Sequence, residues 1–233
     1  MPGPNRSKRL SRLCSSLGLL LFSGSPALAQ ISRAVTPAQE AEMGLALSAC
    51  PPAVTSGAGV YVLGPTGYAR ARETTNGFNA LVQHSMPGAQ EPQCMDAEGS
   101  RTLLVRYLKV AEWRASGKTP DEIKALTAKA FASGVFPRVQ RPGIDYMLSQ
   151  HNEVSNFRGQ VTHFPPHVMF FGTSLKNSDL GVGTKLGVDG NPVGPVFVAG
   201  EGSPYALVIV PIAAGTHAHA ADSRRSKPSK RRL

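Results

Sequence analysis

From Thr36 onward, stretches with apolar residues at helical spacing alternate with short runs of strand-like pattern. Thr36-Pro37-Ala38-Gln39 is a capping box with proline at the first helical position, which predicts a helix to about Ala49, where Pro51 and Pro52 stop it. Residues 60–63 and 68–73, joined by Gly64-Pro65-Thr66-Gly67, read as a hairpin, and 78–83 adds a strand after the Asn76-Gly77 turn. A helical pair follows. Residues 101–115 place Leu104, Leu108 and Ala111 on one face, with Trp113 as an expected core anchor. Thr119-Pro120-Asp121-Glu122 opens a second helix to about Ala132, which turns Ile123, Leu126, Ala130 and Phe131 inward. Gly117 and Gly134 are natural terminators. Strand patterns return at 144–148, 167–172, 196–199 and 205–212. Strands, then helices, then strands predict an α+β fold: one domain over 30–212, a mostly antiparallel sheet and two or three packed helices.

The run from His163 to Gly172 combines this strand pattern with two imidazoles. Pro165 and Pro166 exclude a helix between them, and the residues before each proline are pushed towards extended geometry. In polyproline II geometry the α-carbons of His163 and His167 would stand roughly 12 Å apart with diverging side chains, so sharing one metal needs a tight turn. Beyond the prolines, His167, Met169 and Phe171 alternate with Val168 and Phe170, which predicts a strand covered on both faces. Phe164, Phe170 and Phe171 are expected in the core. His167 is either a hydrogen-bonded core histidine or a metal ligand or proton carrier in a cleft, since histidine titrates near neutrality.

The ends of the chain change the picture of its charge. Arg6, Lys8, Arg9 and Arg12 precede the apolar run 13–22 and the small-residue site Ala27-Leu28-Ala29, the pattern of a signal peptide over residues 1–29. That run is too short to cross a bilayer, no other stretch is long enough, and the basic region before it has no two consecutive arginines, so ordinary export to the periplasm or the extracellular space is expected. Of the formal charge of +10, +4 lies in 1–29 and +5 in 213–233, which leaves +1 for the body. A body so nearly neutral gives no reason to expect nucleic-acid binding. The segment 213–233 reads as a disordered basic tail able to contact anionic surfaces by charge alone. With Cys14 removed in the signal, Cys50 and Cys94 are the remaining pair and are expected to bridge in an oxidising compartment.

The glycine-rich segment 181–202 fits neither a dinucleotide-binding nor a phosphate-binding loop and reads as a mobile loop. Asp96 and Glu98, two apart, suggest carboxylates on one side of a strand, with Glu73, Glu153 and Glu201 as further acids. No His-Glu-x-x-His, Cys-x-x-Cys or Gly-x-Ser-x-Gly pattern occurs. Asn76-Gly77-Phe78, the stretch Cys94 to Arg101, Arg141-Pro142-Gly143-Ile144, the His163 to Gly172 run and Glu201-Gly202-Ser203-Pro204 together resemble an uncharacterised family of small bacterial proteins with signal peptides. That resemblance implies export and a single domain, and supplies no catalytic residues. Two functions follow as expectations. One is a non-catalytic exported domain that binds a small ligand or a cell-envelope partner. The other is a metal-assisted or acid/base hydrolase in which His163 and His167 hold a divalent metal or carry protons, with Glu201 or His151 completing the site.

Overall fold

The computed structural model describes residues 36–155, 159–182 and 196–212. The expected signal segment 1–29, the tail 213–233 and the part of the glycine-rich segment at 183–195 lie outside the described residues. The fold is α+β, as the order of patterns predicts. Helices α1 (Pro37–Leu47) and α2 (Pro52–Thr55) precede strands β1 (Gly59–Gly64), β2 (Gly67–Arg72), β3 (Asn79–Gln83) and β4 (Glu91–Met95). Helices α3 (Ala97–Arg101), α4 (Leu103–Ala115) and α5 (Pro120–Ala132) form the middle of the chain. Strands β5 (Ile144–Met147), β6 (Glu153–Ser155), β7 (Val161–His163), β8 (His167–Phe171), β9 (Phe197–Ala199) and β10 (Leu207–Pro211) follow. One eight-stranded sheet has the order β2-β1-β3-β4-β5-β8-β10-β9, and β6 pairs with β7 as a separate two-stranded sheet. Every pairing in the large sheet is antiparallel except β1 with β3.

Local chemistry sets the helix starts. Thr36 accepts from the amide of Gln39 while the Gln39 side chain accepts from the amide of Thr36, and Thr119 and Glu122 repeat the arrangement. The β1–β2 turn closes on Gly67, whose φ of +124° suits glycine; a Cβ there would also press on Glu112 of α4 at 3.1 Å.

Strand alternation sends side chains to two different environments. On one face Val60, Val62, Ala80, Val82 and Cys94 pack with Ala46 and Ala49 at the end of α1. The bridge between Cys50 and Cys94 fastens that chain end to the centre of the sheet. On the other face Tyr61, Leu81, Met95, Met147, Met169, Leu207 and Ile209 pack with Leu103, Leu104 and Tyr107 of α4.

Three expectations need correction. Strand β8 is not covered on both faces: Phe170 is 46% exposed and Val168 half-buried, because α1 packs mainly on β1, β3 and β4. The Asp96 to Glu98 segment is not a strand. Asp96 caps α3 by accepting from the amide of Gly99 at 2.8 Å and also holds the amide of Ile144 at 3.1 Å. Buried Glu98 meets Arg101 at 2.5 Å, Arg141 at 3.3 Å and the amide of Gln140 at 2.8 Å. Trp113 sits half-buried in a side cluster with Phe136 rather than in the main core.

Candidate functional site

The sheet register assembles the site. Gln83 on β3 stands opposite Glu91 on β4, and Leu81 stands opposite Gln93. Met147 on β5 stands opposite His167 on β8. Because side chains two apart share a face, Gln83, Glu91, Gln93, Met147, His167 and Met169 all point to the α4 side of the sheet. There they line a cavity of about 320 Å³. Tyr107 of α4 adds to the wall, Val154, Ser155, Thr162 and Phe164 come from β6, β7 and the segment that follows, and Ala199, Leu207 and Ile209 come from the far strands. The β6–β7 hairpin is held over this end of the sheet by paired backbone bonds between Gln90 and Glu153, each 2.8 Å, and by the amide of Phe164 donating to Asn152 at 2.9 Å.

His167 is 2% exposed. Its Nδ1 lies 2.8 Å from the carbonyl of Pro165, and its ring meets the edge of Phe164 at 4.6 Å between centroids. A carbonyl partner only accepts, so Nδ1 carries the hydrogen and Nε2 keeps its lone pair. Burial pushes the pKa down to about 4, against a weaker opposing pull from Pro165. At neutral pH this imidazole is therefore an uncharged acceptor in the cavity wall.

The other polar groups combine acceptors with donors. Burial pushes the Glu91 carboxyl up; the Ser85 hydroxyl, donating to Oε1 at 2.9 Å, and the more distant charges of Arg114 and His84 oppose that. Oε2 of Glu91 is buried and has no hydrogen-bond partner. Gln93 donates to Gln83 at 2.6 Å and leaves its own buried Oε1 unpartnered. The phenol of Tyr107 is pushed up by burial and then by the charge of Asp145. Asp145, on the same face, is 0% exposed, and neither of its oxygens completes a hydrogen bond. Burial holds its carboxyl well above the ordinary range, opposed weakly by the Cys94 backbone.

A smaller cavity of about 220 Å³ adjoins, sharing Gln83 and Tyr107. Its walls include Tyr68, which donates to the carbonyl of Val82 at 2.6 Å, and Arg114, which donates to the carbonyls of His84 and Ser85. The carboxylate of Glu42, 3.8 Å from Nε2 of His84, pushes that imidazole up.

The remaining residues picked out by sequence lie elsewhere. His163 is exposed on β7 opposite Glu153. Glu201 is exposed and accepts from the amide and side chain of Asn177, each at 3.1 Å, which ties two loops together. His151 is exposed, its amide donating to Ser149. Among the described residues no three His, Cys, Asp or Glu side chains are grouped to hold a metal, so His163, His167 and Glu201 do not form such a set. Glu91, Gln93 and Tyr107 escaped the sequence reading. Their only local signal is the Glu91-x-Gln93 alternation, and Pro92 and the lack of β-branched residues hide the strand that carries it.

No helix among the described residues is long and apolar enough to cross a membrane. Compared with models of known protein families, with curated proteins and with solved structures, the chain matches none.

Proposed function

We propose that this chain is an exported, non-catalytic domain that binds a small, partly apolar molecule in the cavity beneath β6 and β7. The observation that carries the reading is that cavity: about 320 Å³, within the range of small-molecule sites, apolar over most of its wall and supplied with a few unpartnered polar atoms. Export rests on the signal pattern of residues 1–29 and agrees with the Cys50–Cys94 bridge, a bond that persists in oxidising compartments. The resemblance to small signal-bearing bacterial proteins points the same way.

The hydrolase reading has less support. A general base of the triad type is oriented by a carboxylate and touches its nucleophile. His167 is oriented by a backbone carbonyl, its basicity is depressed, and no hydroxyl, thiol or carboxylate hydrogen-bonds to its Nε2 among the described residues.

The test is an NMR titration of the mature protein with 3-propylindole, an uncharged probe sized for the cavity, beside elemental analysis of the same preparation. Saturable shifts centred on Gln93, Tyr107, Met147 and His167 are expected. Absence of saturable binding, or a stoichiometric metal that disappears in His167→Ala, would overturn the proposal, the latter in favour of metal-assisted chemistry.

A further inference from the structure

The chemistry of the cavity wall narrows the ligand class, on the premise that the cavity is a binding site. Two residues of its lining carry buried acceptors with no donor, Oε2 of Glu91 and Oε1 of Gln93, and a third, His167, keeps a lone pair on Nε2 because Nδ1 holds the hydrogen. Glu91 is the one residue with a formal charge among the described residues that line it. We infer that the ligand presents an amine or ammonium head to Glu91, Gln93 and His167 and rests an apolar body against Met147, Met169 and Ile209.

An ammonium group supplies up to three donors and a positive charge, which suits two unpartnered oxygens, one of them a carboxylate's, and the imidazole lone pair of His167. A bound cation also adds counter-charge to that of the more distant Arg114 and His84, and thereby stabilises the ionised Glu91 carboxylate that burial disfavours. A carboxylate or phosphate ligand would face the opposite situation. It would leave water to lie beside the Glu91 carboxylate, with hydroxyls such as those of Tyr107 and Thr162 but no lysine or arginine among the described lining residues to compensate its charge. The cations nearby are engaged elsewhere. Arg114 is committed to the carbonyls of His84 and Ser85 in the wall of the smaller cavity. The guanidinium of Arg106 stacks on Tyr205 at 4.1 Å, its buried Nε without a partner. His84 faces Glu42.

The test compares three probes of one shape on the mature protein at pH 7: tryptamine, 3-propylindole and indole-3-propionate. Tryptamine is expected to bind at least about tenfold more tightly than 3-propylindole, a difference of about 1.4 kcal/mol, and indole-3-propionate most weakly. In Glu91→Gln the affinities for tryptamine and 3-propylindole should converge. Indole-3-propionate binding as tightly as tryptamine, which needs no variant to observe, would overturn the inference, as would an undiminished tryptamine preference in a folded Glu91→Gln protein. If 3-propylindole binds without any charge preference, this inference fails and the binding reading stands. If none of the three binds, both fail.

Discussion

The two faces of the same sheet are built differently. The α1 face uses small residues, Ala46, Ala49, Ala58, Val60, Val62, Ala80 and Val82, closed by a disulfide. The α4 face uses large ones, Leu81, Met95, Tyr107, Met147 and Met169, and around them Gln93, Asp145 and His167 are buried and a cavity is left open. Small side chains let a helix and a sheet approach closely, and the space left on this side, about 280 Å³, lies further along α1 between Ala41, Glu42, Leu45 and Val82. Long ones bridge a wider separation, and where their ends do not meet they leave room and unsatisfied acceptors. One face therefore stabilises the fold, and the other spends part of that stability on a site.

The largest effect expected from this division lies on the α1 face. Replacing Cys50 and Cys94 together by alanine opens a loop spanning a sequence separation of 44. It should lower stability by about 4 kcal/mol on the chain-entropy account, read as an earlier urea midpoint. An unchanged midpoint would mean that small-residue packing alone holds α1 to the sheet.

Volume added to each face sharpens the contrast. Ala80, 0% exposed among alanines and valines, has no room for growth, so Ala80→Leu should cost about 1–3 kcal/mol. Ala199 lines the cavity. Ala199→Leu should shift stability by less than about 0.5 kcal/mol while weakening 3-propylindole binding, both read from urea melts and the titration. Equal losses at the two positions would show that the cavity wall is as tightly packed as the α1 face.

A smaller effect depends on pH. Burial raises the Asp145 pKa in the folded chain above its unfolded value of about 3.9. Above that value the unfolded chain gives up the proton first, so stability falls as pH rises, by up to about 1.4 kcal/mol per pH unit, until the folded pKa is passed. Asp145→Asn should remove this slope, seen in urea midpoints at pH 5, 6 and 7. Parallel curves for the two proteins would show that Asp145 ionises as readily folded as unfolded. Glu98 works in the opposite sense. Arg101 first, with the Gln140 amide and Arg141, lowers its pKa against the cost of burial, so its contribution is present above the unfolded pKa and is lost as pH falls through the folded one.

How much of this was legible in the chain depended on the range of the interactions involved. Helices α1 and α5 were readable because their capping boxes are completed within four residues. The hairpin around Gly67 was readable because its turn demands glycine. Strand β4 was not. Glu91-Pro92-Gln93-Cys94-Met95 lacks β-branched residues and contains a proline, yet it lies at the centre of the sheet because β3 and β5 bind it from either side. His167 stood out because two prolines and a strand pattern framed it. Glu91, Gln93 and Tyr107, which share its cavity, lie 60 to 76 positions earlier, and nothing local marks Tyr107 as other than a helix residue.

By itself, then, the sequence determined the fold class and the well-capped helices, pointed to the pairing of Cys50 with Cys94, and marked His167 among its candidate histidines, because propensity, capping and turn chemistry act between near neighbours. The tertiary structure decided that Glu201 ties loops together, that His163 faces outward, and that Glu91, Gln93, Tyr107 and His167 share one wall. Those assignments depend on strand order and register, where a shift of one residue turns every side chain to the opposite face.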